Sequence, residues 1–311
     1  MLASKILKSL PSSSRRFFST SKSFPIELSY ELIDGSIKSG RHRYPILFLH
    51  GLFGSKQNNR TISKILARDL NRRVFVLDLR NHGNTEHVPE HNYISMTGDV
   101  ENFIDQHQLR KAVLIGHSMG AKTAMIVALQ SPGLVSALIP VDNAPVRSPL
   151  RSDVDKYVRG MEEIESAKVT KSSDADKILQ KYEESLPIRQ FLLTNLTRSV
   201  NGPTLKFRIP LGILANSLDD ISGFPFEEPL ADAKDGSIIK YDGPTLVVRG
   251  TKSRYVGDET IPTIKRFFPK SSIADIEAGH WVISEKPEAF RKGMYYLPSL
   301  LGSFFMVSRV S

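Results

Sequence analysis

Cysteine is absent from the 311 residues of the chain. Disulfide bonds, thiolate metal sites and a cysteine nucleophile are therefore excluded, and any covalent catalysis must use another side chain.

Long apolar runs are absent too. The apolar stretch 297–307 is far shorter than the ~20 residues that span a bilayer, and Pro298 and Gly302 interrupt it. We expect no transmembrane segment; this stretch should pack on the domain or, as the alternative, lie against a membrane surface.

Acidic residues are absent before Glu27, whereas residues 1–24 contain many serines and five basic residues: Lys5, Lys8, Arg15, Arg16 and Lys22. This composition is typical of a mitochondrial presequence and predicts a mitochondrial location; a disordered basic tail is the alternative. The rest of the chain has 37 Lys and Arg against 33 Asp and Glu. Since the net charge of +9 comes mostly from the amino terminus, we expect no nucleic-acid partner.

Short apolar runs recur along the chain, with segments of helical spacing between them. The runs that indicate buried strands are 45–49, 74–79, 112–115, 138–141 and 245–248, followed by a last short one before Gly279. Alternating strands and helices predict an α/β fold with a mostly parallel sheet and helices on both faces. Upstream, alternating apolar residues over 26–32 and the turn pair Asp34 and Gly35 predict an antiparallel hairpin.

The alternation of strands and helices stops at residue 147. No strand pattern follows until about residue 240; Val154, Val158 and Met161 instead have the spacing of a charge-rich amphipathic helix. We predict three parts of the chain: a presequence over 1–24, an α/β core over 25–146 and 241–311, and a helical lid inserted over 147–240.

The segment GHSMG places Ser118 between Gly116 and Gly120, after an apolar run and before an alanine-rich helical face. A Gly-x-Ser-x-Gly sequence at a strand-to-helix turn lifts a nucleophilic hydroxyl above a parallel sheet, and the glycines permit the sharp bend. We therefore predict that Ser118 is a nucleophile. A plain tight turn is the alternative.

A serine nucleophile needs a base, and the chain has eight histidines. His280 follows the last predicted strand, where its ring can overhang Ser118, and we predict that it is the base. A buried structural histidine is the alternative. His82, His87 and His91 lie in a polar loop without helical metal-ligand spacing, so we expect them to be exposed to solvent and predict no metal site.

The base needs an acid that fixes its tautomer and stabilises its protonated form. Asp142 directly follows a predicted strand, so its carboxylate should enter the same crevice as Ser118. Another common position for the acid, the turn after 245–248, has no carboxylate until Asp258. We predict that Asp142 is the acid and keep Asp258 as the alternative.

The tetrahedral intermediate of acyl transfer needs hydrogen-bond donors for its oxyanion. The segment HGLFG, residues 50–54, follows an early strand, and its glycines leave backbone N–H groups accessible. We predict the N–H groups of Leu52 and Met119 as the donor pair. Donors of this kind are each worth about 2.7 to 4 kcal/mol of transition-state stabilisation.

The strings HGLFGSKQNNR, VLDLRNHG, GHSMGAK, VDNAP and GHWV occur in this order in the chain. They resemble the α/β-hydrolase superfamily and, more narrowly, the mitochondrial ethanol acetyltransferases of yeasts and related hydrolases. The resemblance covers roughly residues 25–290 and implies Ser118, Asp142 and His280 as nucleophile, acid and base. The chain departs from the pattern near its end, where Pro298 interrupts the expected final helix.

This resemblance implies an enzyme that transfers the acetyl group of acetyl-CoA through an acetyl-serine to ethanol, with side thioesterase and esterase activity. Acetyl-CoA is then a substrate, and no cofactor is expected. A mitochondrial serine hydrolase of esters or thioesters is the alternative, because His280 activates water and alcohol by the same step. The acceptor, the acyl length and the oligomeric state are left open.

Other classes fit the residues less well. Haloalkane dehalogenases and epoxide hydrolases use a nucleophilic aspartate, and position 118 is serine. A binding module on the same fold usually lacks part of the triad, whereas all three candidate members are present here.

Overall fold

The computed structural model of the chain describes residues 24–35, 44–148, 151–200, 202–226 and 239–295. Its strands, in chain order, are β1 (Tyr30–Ile33), β2 (Ile46–Leu49), β3 (Val74–Leu77), β4 (Ala112–His117), β5 (Val135–Val141), β6 (Leu196–Arg198), β7 (Leu205–Phe207), β8 (Thr245–Gly250) and β9 (Ser271–Ile276). Over the described residues, seven of them form one sheet in the order β1-β3-β2-β4-β5-β8-β9.

The sheet is parallel from β3 to β9, and β1 alone among its described strands runs antiparallel. Strands β2, β3 and β4 are buried along their whole length, which explains their continuous apolar sequences. The predicted α/β architecture is confirmed. Because parallel strands end at the same edge, the loops after β2, β4, β5, β8 and β9 gather along one crevice.

The helices, in chain order, are α1 (Lys56–Leu70), α2 (Tyr93–Gln106), α3 (Met119–Gln130), α4 (Arg151–Ser166), α5 (Ser172–Leu179), α6 (Leu186–Leu193), α7 (Leu211–Asn216), α8 (Leu218–Ser222), α9 (Ile261–Phe267), α10 (Val282–Glu285) and α11 (Pro287–Met294). Helices α1 and α11 cover one face of the sheet, where Leu66 and Phe290 pack into one apolar cluster with Phe48. Helices α2 and α3 cover the other, where Val100 and Ala124 are buried. No helix among the described residues combines the length and apolarity needed to cross a membrane.

The segment between β5 and β8, predicted as a helical lid, contains helices α4 to α8 and a two-stranded antiparallel sheet of β6 and β7. The expectation that this segment has no strands was therefore wrong. Strands of three residues are too short to produce a visible alternation of apolar residues. The segment is tied to the core by the buried Lys122 of α3, whose Nζ donates to the carbonyls of Ser222 and Gly223. Its role as a lid stays a prediction.

The first strand lies beside a strand far along the chain. β1 pairs antiparallel with β3, so that Tyr30 faces Leu77 and Ile33 faces Val74. The return strand of the predicted hairpin falls on residues 36–43, which lie outside the described part of the chain. The predicted presequence, apart from Phe24, and the apolar stretch 297–307 lie outside it as well.

Candidate active site

Ser118 lies in the turn between β4 and α3. Its backbone has φ +53° and ψ −113°, a conformation that costs energy for a residue with a side chain. The turn is fixed by the Ser118 N–H, which donates to the Val141 carbonyl at 2.9 Å. A Cβ at Gly116 would lie 2.1 Å from the Gly120 oxygen, and one at Gly120 would lie 2.5 Å from the Leu49 oxygen. The two glycines therefore let strand and helix approach closely enough to raise the Ser118 hydroxyl above the sheet.

Ser118, His280 and Asp142 come from distant parts of the chain and meet in one hydrogen-bonded row. The His280 Nε2 atom lies 2.9 Å from Ser118 Oγ, and its Nδ1 atom lies 2.7 Å from an Asp142 carboxylate oxygen. Because the carboxylate accepts a hydrogen bond, we assign the ring proton to Nδ1, which leaves Nε2 free to accept the Ser118 proton. The structure thus brings together the three residues predicted as nucleophile, base and acid.

Asp142 immediately follows β5 and is fully buried. A buried carboxylate is costly unless its oxygens are hydrogen-bonded, and three donors meet this one. They are the ring of His280, the Gly250 N–H at 3.0 Å and the Ser253 hydroxyl at 2.5 Å. The acid is therefore held in one orientation by the ends of two neighbouring strands.

Asp258, the alternative acid, lies outside this row. Its carboxylate pairs with Arg249 at 2.5 Å, and its side chain is 86% exposed. Arg249 in turn bonds Asp275 at 2.7 Å on the same surface. The turn after β8 instead contributes Ser253, whose hydroxyl supports Asp142. The geometry therefore favours Asp142 over Asp258.

Two further residues hold the His280 ring and were not predicted from the sequence. Tyr255 stacks on the imidazole with ring centroids 4.0 Å apart and planes inclined by 21°. His117 Nε2 lies 2.8 Å from the His280 carbonyl oxygen, and burial, followed by the nearby charge of His280, lowers the pKa of His117. A neutral His117 can therefore donate its Nε2 proton to that carbonyl. The sequence did contain a signal for Tyr255, the segment SRYV that follows β8. This segment has a hydroxyl and an aromatic ring at the position where a catalytic carboxylate is common.

The predicted oxyanion donors lie on either side of the nucleophile. Met119 follows Ser118 at the start of α3, and the loop of Leu52 approaches so closely that a Cβ at Gly51 would lie 3.2 Å from Ser118 Cβ. Over the described ranges, neither the Leu52 nor the Met119 N–H donates to another protein group. Phe53, with φ +61°, shapes this loop. Within the described ranges both N–H groups therefore lack a protein acceptor, and their role as oxyanion donors stays a prediction.

The Phe53 backbone is held from two sides. Its N–H donates to His82 Nε2 at 3.1 Å, and its carbonyl accepts from Asn195 Nδ2 of the predicted lid at 2.7 Å. The expectation that His82 and His91 are exposed was wrong, because both are buried; His87 is exposed. The polar loop around them folds inward to supply hydrogen-bond acceptors to the backbone. Within the described ranges, no group of three or more His, Asp or Glu side chains is arranged to hold a metal ion.

Acid should destabilise the fold because His91 is buried in its neutral form. Burial, with smaller contributions from Arg80 and His50, lowers the pKa of His91 to about 3, whereas an unfolded histidine titrates near 6.5. Between these values the unfolded chain binds a proton that the folded chain does not, so stability is kept above pH 6.5 and falls as the pH falls. We expect His91 to lower the free energy of unfolding by about 2 kcal/mol between pH 7 and pH 5. Urea unfolding at pH 7 and at pH 5 measures this difference in the free energy of unfolding. If the His91→Gln variant lost as much stability as wild type, the loss could not be assigned to His91.

The comparisons with known proteins agree with this geometry. A family model described as the α/β-hydrolase fold matches residues 44–287. The chain is 38% identical to a probable alcohol acetyltransferase of Saccharomyces cerevisiae, over 86% of this chain and 81% of that protein. It is 40% identical to the sn-1-specific diacylglycerol lipase ABHD11 of Xenopus laevis, over 85% and 81%. Among solved structures, a marine microorganism esterase superposes with a TM-score of 0.76 at 30% identity, over 87% of this chain and 98% of the esterase. The chain therefore belongs to the α/β-hydrolase fold family, as its sequence motifs predicted.

Proposed function

We propose that the protein is a serine-dependent acyltransferase that forms ethyl acetate from acetyl-CoA and ethanol through an acetyl-Ser118 intermediate. The observation that carries the proposal is the row of hydrogen bonds from Ser118 through His280 to Asp142. This arrangement supports acyl transfer because it couples a nucleophilic hydroxyl to a base of fixed tautomer. The similarity to a protein named as a probable alcohol acetyltransferase supports acetyl as the acyl group.

In the first half of the reaction, Ser118 Oγ attacks the thioester carbonyl carbon while His280 Nε2 takes the hydroxyl proton. The oxyanion of the tetrahedral intermediate accepts hydrogen bonds from the Leu52 and Met119 N–H groups. The carbon–sulfur bond then breaks, and protonated His280 gives its proton to the sulfur, so that CoA leaves as a thiol. Asp142 stabilises the positive charge on His280 during this step.

In the second half, His280 takes the proton of ethanol as the ethanol oxygen attacks the acetyl carbon of the acyl-enzyme. Collapse of the intermediate breaks the bond to Ser118 Oγ, which regains the proton from His280, and ethyl acetate is released. Water can replace ethanol in the same step and gives acetate. The partition between the two acceptors depends on the pocket rather than on the triad.

Hydrolysis of esters or thioesters is the second candidate function. It is supported by the similarity to a diacylglycerol lipase and to an esterase, both of which are hydrolases by name. The same three side chains serve both reactions, so the acceptor distinguishes the candidates. For either function we propose a mitochondrial location, supported by the basic, acid-free composition of residues 1–24.

Ethanol should divert the acyl-enzyme without suppressing hydrolysis completely. An apolar pocket favours binding of a small alkyl chain by about 0.8 kcal/mol per buried CH₂, which is a few-fold in affinity per carbon. Water is far more concentrated than any alcohol, so this preference does not exclude hydrolysis. With acetyl-CoA alone we expect acetate and CoA; added ethanol should yield ethyl acetate and lower the acetate. Gas chromatography of both products, alongside a thiol assay for CoA, measures the partition. Acetate as the sole product at high ethanol would reject the acetyltransferase and leave the hydrolase.

A further inference from the structure

A groove of about 770 Å³ opens beside the candidate active site, between α1, α6 and the segment that follows His280. Its size lies within the range typical of small-molecule sites, about 300 to 1,000 Å³. Gly51 and His117 are among the residues that line it, whereas Ser118 and His280 are not. His117 precedes Ser118, and a Cβ at Gly51 would lie 3.2 Å from Ser118 Cβ. The groove therefore begins one residue away from the nucleophile.

The groove is lined by the residue that follows the base His280. His280 must protonate the leaving atom, so the leaving group lies beside the imidazole. Trp281, the next residue, lines the groove and contacts Phe191 of α6, with ring centroids 4.3 Å apart. Ile283 and Ser284 extend the same wall. A leaving group beside the imidazole therefore lies next to Trp281, which is one wall of the groove.

The walls of the groove alternate apolar and uncharged polar side chains. Ile65 of α1 and Ile188 of α6 are apolar, whereas Asn59, Thr61 and Gln190 carry amide or hydroxyl groups. In the described part of the chain, no hydrogen bond joins these three polar side chains to another protein group. They are therefore available to donate to and accept from a bound ligand. A plain hydrocarbon chain has no group that could use them.

The charges of the residues that line the groove restrict the class of ligand further. Among the described residues that line the groove there is no Lys or Arg, and Glu285 carries the one carboxylate. That carboxylate already accepts from the N–H groups of Gly279 and Trp281. A phosphate or free carboxylate would find no cation here, so the matching ligand is a neutral chain in which methylene or methyl groups alternate with amides.

We propose that this groove binds the pantetheine arm of an acyl-CoA donor, an inference that rests on the proposed function. The arm is neutral, contains two amides, and leaves as a thiol on the His280 side of the intermediate. Its methylene and dimethyl groups pack against Ile65 and Ile188, and its amides pair with Asn59 and Gln190. The groove thereby selects thioesters of CoA over simple esters.

The test compares two acetyl thioesters, S-acetylpantetheine and N,S-diacetylcysteamine, which share the reacting bond but differ in the length of the arm. The wild-type kcat/KM should be about tenfold higher for S-acetylpantetheine, since the longer arm adds roughly two hydrogen bonds and some apolar contact. Ile65→Trp, which fills the groove, and Gln190→Met, which keeps the length but removes the amide, should reduce this preference. The matched control is Leu186→Met. Leu186 lies on the same helix as Gln190 but is exposed and outside the groove, so this variant should retain the preference for S-acetylpantetheine.

Equal wild-type kcat/KM for the two thioesters, or an unchanged preference in Ile65→Trp and Gln190→Met, would overturn the groove assignment and leave the proposed function intact. A selective loss of p-nitrophenyl dodecanoate hydrolysis in these variants, without loss of the thioester preference, would assign the groove to an acyl chain instead. Cleavage of neither thioester would reject the proposed function. In that event, calorimetric titration with free pantetheine still tests the groove: binding by wild type and its loss in Ile65→Trp are expected, and no binding by wild type refutes the proposal.

Discussion

Replacing Ser118 with alanine is expected to reduce formation of both ethyl acetate and acetate by about a million-fold, to the background of the assay. Both products arise from one acyl-enzyme, so loss of the attacking oxygen removes them together. The fold should survive, because the turn is held by the Ser118 backbone N–H and by the close approach of Gly116 and Gly120 rather than by the hydroxyl. Product analysis with acetyl-CoA and ethanol, together with circular dichroism, measures activity and fold on the same sample.

A matched control for this variant is Ser166→Ala in α4. Ser166 is exposed, and its hydroxyl bonds the Glu162 carbonyl within its own helix, so its removal should leave both products unchanged. A fluorophosphonate probe gives an independent measure, because it should label wild type and Ser166→Ala but not Ser118→Ala. Survival of ethyl acetate formation in folded Ser118→Ala would show that acetyl transfer does not pass through this serine.

Much of the core and of the site could be predicted because local sequence and local structure agree there. The runs around β2, β4 and β5 are apolar along their whole length because both faces of a parallel sheet are covered. The row of Ser118, His280 and Asp142 followed from a topological rule, since residues after parallel strands meet at one edge. The choice of Asp142 over Asp258 needed only the position of each residue relative to the end of a strand.

The errors concern features set by long-range packing rather than by local pattern. The pairing of β1 with β3, about 40 residues away, was not predicted, since strand alternation carries no information about which strand lies alongside. His82 and His91 look polar in sequence but are buried, since their loop folds inward and His82 accepts the Phe53 N–H. Tyr255 was not predicted because its role is to stack on the His280 ring, and the periodicity of the sequence does not reveal such a contact.

Replacing Asp142 with asparagine is expected to cut kcat by about 10⁴-fold while the protein remains folded. Asparagine has nearly the same shape, and its oxygen can still accept from the Gly250 N–H, while the Ser253 hydroxyl, which bonds the other oxygen of Asp142, can turn to accept from the amide nitrogen. Its uncharged amide, however, no longer stabilises protonated His280. If the amide nitrogen faces the ring, it also favours the tautomer that carries the proton on Nε2, which cannot accept the Ser118 proton. The loss should therefore appear in kcat more than in KM.

The matched variant, Asp258→Asn, changes the same functional group at the alternative position. Asp258 is largely exposed and pairs with Arg249, which keeps Asp275 as a second partner, so the cost in stability should be below about 1 kcal/mol. Its turnover should stay within about twofold of wild type, because its carboxylate pairs with Arg249 rather than with the His280 ring. Steady-state kinetics of acetyl-CoA hydrolysis by the two variants, with thermal unfolding as the check on fold, compares them directly. The opposite order, with Asp258→Asn inactive and Asp142→Asn near wild type, would require His280 to turn toward the surface acid during the reaction and would overturn the assignment of Asp142.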